Sequence, residues 1–202
     1  MKKLLLGIAA VCLAGFTFAQ DAPLWMRHSV ISPDGTTIAF TYKGDIYTVP
    51  VAGGRAMQIT TNPAYDTAPV WSPDSKRIAF ASDRMGSLDV YIVAKDGGEP
   101  RRLTTHSGSE TPLAFTDAGH VLFSAGIMPS AEAVVFPSNG QFNQVYRVSV
   151  EGGRPTMISS MPMECISINK EGAMLYQDKK GYEDYWRKHH VSPIARDIWM
   201  YT

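Results

Sequence analysis

Ser167-Ile168-Asn169-Lys170 has the Ser-x-x-Lys spacing, which on a helix would set a lysine amine beside a serine hydroxyl and activate a nucleophile. His189-His190 pairs two imidazoles close to Glu183 and Asp184. From a loop such a pair could ligate a cation, whereas on a strand the two rings would point to opposite faces. Asp34 and Asp74 each stand third in a Ser-Pro-Asp turn, where a carboxylate either contributes to a calcium site or caps the turn by accepting backbone N–H bonds. Tyr182, Tyr185, Trp186 and Arg187 gather the residue types that most often anchor interfaces.

Local context removes most of this chemistry. Ser167 falls in a stretch equivalent to the Ser72-Pro73-Asp74 turn, between strands and not on a helix, and the chain holds no Gly-x-Ser-x-Gly elbow. No second Cys/His cluster supports a metal at His189-His190, and no dense Asp-x-Asp-x-Asp run supports calcium at Asp34 or Asp74, which read as turn caps. No catalytic, cofactor-binding or metal-binding residue is therefore assigned, and no cofactor is expected. Tyr182, Tyr185, Trp186 and Arg187 remain as a candidate contact with a peptide or a neighbouring domain, against the plainer reading of an insert packed on its own sheet.

The elements that would carry these residues recur four times. Trp71-Ser72-Pro73-Asp74-Ser75 is followed by Ile78-Ala79-Phe80, Asp89-Val90-Tyr91, Gly97-Gly98 and Leu103-Thr104. Before it come Ile31-Ser32-Pro33-Asp34-Gly35, Ile38-Ala39-Phe40, Asp45-Ile46-Tyr47, Gly53-Gly54 and Ile59-Thr60. A looser copy runs from Phe115 through Val121-Leu122-Phe123, Gln144-Val145-Tyr146 and Gly152-Gly153 to Ile158-Ser159. The last begins at Ile168, includes Met174-Leu175-Tyr176 and reaches Asp197-Ile198-Trp199. A period of about 40 to 50 residues with four short strands is the mark of a propeller blade. Blades are covered on both faces, so inner strands such as Ile78-Ala79-Phe80 should be continuously apolar. The expected fold is all-β, an incomplete β-propeller of three four-stranded blades (about 25–60, 65–104 and 110–159) and part of a fourth (163–202). A blade lacking its outer strand and its covering neighbour exposes an apolar face and an open edge, with incomplete pairing expected over 197–202. The chain is thus expected to be the front part of a longer protein. Irregular inserts interrupt the third blade from Gly126 to Gln141 and the fourth from Gly181 to Arg196.

Residues 1–19 read as a secretory signal peptide, with Lys2-Lys3, an apolar stretch from Leu4 to Phe18, and Thr17-Phe18-Ala19 as the cleavage site. The apolar stretch falls short of the roughly 20 residues that a membrane span needs. Val11 ahead of Cys12 is a poor lipobox residue. Cleavage leaves residues 20–202 with a single cysteine, Cys165, so no intrachain disulfide is expected in the exported compartment, periplasmic or extracellular. The whole chain balances 19 Lys and Arg against 19 Asp and Glu. Such neutrality offers no electrostatic footprint for nucleic acid or for an anionic membrane surface.

The cassettes resemble the TolB-type, WD-like propeller repeat, with Ser-Pro-Asp-Gly, Ile-Ala-Phe, Ile-Tyr and Gly-Gly followed by Leu-Thr. Trp25-Met26-Arg27, Tyr42-Lys43-Gly44-Asp45-Ile46-Tyr47, Trp186-Arg187-Lys188-His189-His190 and Ala195-Arg196-Asp197-Ile198-Trp199 carry a narrower likeness. Together with the leader they resemble the amino-terminal propeller of exported tricorn-type serine peptidases of the Bacteroidetes-like branch. The resemblance implies a longer protein that degrades oligopeptides, with a PDZ-like module and a serine nucleophile beyond Thr202, and a propeller that gates or channels peptides. No catalytic residue of that family maps onto this chain. The implied partners are peptides or downstream domains of the same protein, with oligomerisation left open. Two alternatives stand beside this reading: a TolB-like periplasmic protein-binding scaffold without catalysis, and the propeller cap of a prolyl-oligopeptidase-like hydrolase.

Overall fold

The computed structural model describes residues 25–126, 143–161, 163–169, 171–177 and 197–202. The leader, Tyr182, Tyr185, Trp186, Arg187, His189-His190, Lys170 and nearly all of both inserts lie outside the described residues. Among the described residues fifteen strands form four antiparallel sheets, and there is no helix. The first sheet holds β1 (Arg27–Ile31), β2 (Thr37–Tyr42), β3 (Asp45–Pro50) and β4 (Met57–Gln58). The second holds β5 (Asp66–Trp71), β6 (Arg77–Ser82), β7 (Asp89–Ala94) and β8 (Arg101–Arg102). The third holds β9 (Glu110–Asp117), β10 (His120–Ala125), β11 (Gln144–Ser149) and β12 (Thr156–Ser159). The fourth holds β13 (Glu164–Ile168), β14 (Met174–Gln177) and β15 (Ile198–Tyr201). Within each sheet the strands are joined in sequence order, so each cassette is one up-and-down blade. This is the β-propeller expected from the repeats, three four-stranded blades and a three-stranded fourth.

Local chemistry explains the shared form. Lys43 and Gly44 both take positive φ, 52° and 89°, as a two-residue hairpin between β2 and β3 requires. An aromatic pair then bridges the second and third strands of each four-stranded blade. Phe40 stacks on Tyr47 at 5.8 Å between ring centroids, Phe80 on Tyr91 at 5.9 Å and Phe123 on Tyr146 at 5.6 Å. In the fourth blade Tyr176 lies opposite Trp199 in the same register. That register continues from Met174↔Tyr201 to Gln177↔Ile198, so β15 pairs along the whole of β14, while among the described residues no strand pairs with its outer edge, as expected for a blade without its outer strand. The backbone ladder between these strands forms whether or not a further sheet covers them.

Apolar clusters bind consecutive blades. Ile46, Ile59, Trp71, Ile78, Phe80 and Val93 join the first to the second. Val90, Ile92, Leu103, Phe115 and Phe123 join the second to the third, and Leu122, Val145, Met163, Met174 and Tyr176 join the third to the fourth. Ala39 and Ala79 are completely buried at the centre of their blades, where a larger side chain would hold neighbouring sheets apart. Among the described residues no comparable packing joins the fourth blade to the first.

Candidate functional site

The four innermost strands, β1, β5, β9 and β13, line one cavity of about 590 Å³. Val30, Val70, Ala114 and Ser167 occupy equivalent positions in it, opposite Ala39, Ala79, Leu122 and Leu175 on the second strands. The wall is mostly apolar, with Ser167 and Asn169 as its polar side chains, and among the described residues it includes no charged one. Three of the inner strands carry the same irregularity just upstream. His28, Ala68 and Cys165 adopt φ of 51°, 51° and 52° where the pairing register of β1, β5 and β13 slips. Such a bulge sharpens the local twist and re-aims the residues that follow. The cavity can hold an uncharged, largely apolar ligand, and its described residues offer no group suited to acid–base work.

Ser167 lies on β13 itself, and Asn169 occupies the place of Ser32 and Ser72 in the turn that follows, a shift from the position expected for Ser167. The reason is chain register, since Ile168 pairs with Met174 as Trp71 pairs with Ile78. Asn169 Oδ1 accepts the Glu171 and Ala173 amides at 3.1 and 2.8 Å, so it caps its turn as the aspartates cap theirs. Asp34 accepts the Ser32 hydroxyl at 2.6 Å and the Thr36 amide at 3.0 Å, and Asp74 accepts the Ser72 hydroxyl at 2.5 Å and the Lys76 amide at 3.1 Å. These bonds to Ser32 and Ser72 hold both carboxyls below the usual aspartate pKa. Ser75 stands where the first blade has Gly35 and takes the same left-handed conformation, φ 57°. Its hydroxyl accepts the Asp34 amide at 3.1 Å and so links the first two turns.

At the opposite ends of the inner strands lies a charged belt that the sequence reading missed. The Asp66 amide donates to Gly44 O and the Glu110 amide to Leu88 O, each at 2.7 Å. These two bonds set Asp66 beside Asp45 and Glu110 beside Asp89. Asp66, Asp89 and Glu110 are completely buried. Arg84 pairs with Asp66 at 2.8 Å and Arg102 with Asp89 at 2.8 Å. The Arg84 guanidinium also lies over the Phe80 and Tyr91 rings, 5.6 and 5.1 Å from their centroids. Burial raises the pKa of Asp45 and pushes Glu110 up to about 7. A signal for the belt was present as Asp45 and Asp89, each directly ahead of an apolar Ile-Tyr or Val-Tyr pair. What it lacked was the partner, because Asp66 and Glu110 come from the following blade.

The family model described as the tricorn protease N-terminal beta propeller domain matches residues 23–202. Tricorn protease homolog 1 of Streptomyces coelicolor is 25% identical over 180 residues, covering 89% of this chain and 16% of that protein. The uncharacterized peptidase YuxL of Bacillus subtilis is 30% identical over 129 residues, covering 63% of this chain and 20% of that protein. The crystal structure of TolB from Acinetobacter baumannii superposes with a TM-score of 0.60 at 18% identity, over 87% of this chain and 40% of that one. The chain thus spans only about a fifth or less of the length of these curated relatives. A repeat, a propeller fold and a match running through all four blades agree, and the chain belongs to the tricorn protease N-terminal β-propeller family.

Proposed function

We propose that this chain is the non-catalytic propeller portion of an exported tricorn-type serine peptidase, and that its apolar channel passes oligopeptides toward a catalytic domain. Family membership over residues 23–202, joined to a cavity that inner strands from all four blades line with no charged side chain among the described residues, carries this reading. Apolar walls favour peptide segments that gain by leaving water and disfavour charged ones, which would lose hydration with no partner inside. The Asp34 and Asp74 turns at the cavity end are internally bonded, so they act as rigid rims. Tyr182, Tyr185, Trp186 and Arg187 are proposed as a contact for the peptide or for a neighbouring domain, and residues 1–19 as the export leader.

Binding of a fluorescent apolar oligopeptide, followed by anisotropy, tests the channel. Val70→Arg places a charge in the cavity and should weaken binding at least about tenfold, the cost of burying an unpaired charge being far more than 1.4 kcal/mol. Equal binding by both proteins would remove the channel from the reading. Neither protein should hydrolyse the peptide, and turnover that disappeared on replacing a serine of this chain would place catalysis within it. Mass spectrometry of the exported product should find Gln20 at the amino terminus, and a retained Met1 would defeat the leader assignment.

A further inference from the structure

We propose that Glu110 is a protonation-controlled latch between the second and third blades, neutral when the boundary is closed and favouring its opening when ionised. The argument begins with two acid pairs built by the same backbone bond. In each, the first residue of an inner strand donates its amide to the carbonyl just ahead of an acidic third-strand residue, giving Asp45–Asp66 and Asp89–Glu110. Each pair receives one arginine, but the arginines go to different members. Arg84 takes Asp66, the inner-strand acid, and leaves Asp45 partly exposed with donors of its own, Gln58 Nε2 at 3.0 Å and Thr60 Oγ1 at 3.3 Å. Arg102 takes Asp89, the third-strand acid, and leaves Glu110 sealed in the interior.

Glu110 is compensated less well. Neither of its carboxylate oxygens accepts a hydrogen bond of normal geometry among the described residues. The Thr104 hydroxyl and the His106 amide approach it and favour the charged form, but desolvation outweighs them and the charge of Asp89 opposes ionisation further. Arg102 is drawn to Asp89. On the other elements packed against β9, β5 brings Asp66, already held by Arg84, and β13 brings Glu164, which has an interaction of its own. From β10 the residue opposite Glu110 is Ala125, which adds no charge. Of the charged groups that act most on Glu110, Asp89 opposes its ionisation, and Arg102, which favours it, is paired with Asp89.

A carboxyl whose folded pKa is raised stabilises the fold fully below its unfolded pKa, and that stability is lost as pH rises through the folded value. For Glu110 the window runs from about 4.5 to about 7. Because Leu88, Asp89 and Glu110 all sit at the boundary, ionisation should act there first and not on the molecule as a whole.

Hydrogen exchange of the full chain at several pH values, corrected for intrinsic rates, reads the latch directly. The amides of residues 88–90, Glu110, Thr111 and Leu113 should lose protection between pH 5 and pH 8, while those of residues 38–41 and 46–48 keep theirs. Glu110→Gln, neutral at every pH, should abolish that loss, and Asp45→Asn should leave it in place. Wild-type protection that does not change with pH, or a loss that persists in Glu110→Gln, would overturn the proposal. Should Glu110→Gln fail to fold, carbon-detected NMR titration of the wild-type Glu110 carboxyl decides. A midpoint between pH 6 and pH 8 supports the latch, and a midpoint outside that range ends it.

Discussion

The second and fourth blades are written in the same cassette, yet β6 is buried from Ile78 through Ser82 while β15 is exposed at all four residues. The second blade is packed on both faces, by the first through β5 and by the third through β9. Among the described residues the fourth packs on the third alone, through β13. In β14, Met174 and Tyr176 face that neighbour and are buried, whereas Leu175 between them is half exposed. Alternation is what a sheet covered on one face shows, and continuous burial is what one covered on both faces shows. Burial here is thus a property of a blade's neighbours, and the cassette itself supplies only strands, turns and the central aromatic pair.

The sharpest break in that comparison should come from Phe80→Ala. Phe80 is completely buried, stacks on Tyr91 and helps to join the first two blades. Its truncation should cost about 3–5 kcal/mol in urea unfolding. A loss below about 1 kcal/mol would mean that the blade boundary is loosely packed. Arg84→Met should cost about 3 kcal/mol, because Asp66 would stay buried without its cation. Adding Asp66→Asn should recover much of that loss, and a double variant no better than the single would show that Arg84 acts through its packing on Phe80 and Tyr91.

The turns permit a finer comparison between the same two blades. Ser72 is buried, its hydroxyl is 2.5 Å from Asp74, and it accepts the Arg77 amide at 2.9 Å. Ser72→Ala should cost about 1 kcal/mol. Asn169→Ala removes the equivalent cap from the fourth blade, where water can replace it, and should cost about half as much. Trp199→Ala should change stability by no more than about 0.5 kcal/mol, since Trp199 is 51% exposed. If Trp199→Ala instead costs as much as Phe80→Ala, the exposed face of the fourth blade is covered in solution and the contrast between the blades is smaller than the described residues suggest.

Much of the fold was legible because its signals are local. Ile38-Ala39-Phe40 and Ile78-Ala79-Phe80 announce strands buried on both faces, and Ser-Pro-Asp announces a capped turn. The bulges at His28, Ala68 and Cys165 were not legible, because three unrelated side chains share one backbone conformation and none is glycine. Ser75 was read simply as part of a turn, and its hydroxyl turns out to bond the Asp34 amide from 41 residues away. The cavity too was hidden, since Val30, Val70, Ala114 and Ser167 meet only when four inner strands converge.

By itself the sequence determined four cassettes, their strand order and the all-β propeller class, because hydrophobic pattern and turn chemistry act over a few neighbouring residues. It also carried the family resemblance that the match over residues 23–202 bears out. The tertiary structure decided which carboxylates are buried and which arginine each of them receives. Asp45 meets Asp66 and Asp89 meets Glu110 across blade boundaries, about 21 residues apart in each case along the chain. Desolvation depends on everything that surrounds a group and not on its sequence neighbours, so only the assembled blades leave Asp66 paired with Arg84 and Glu110 buried without a cation of its own.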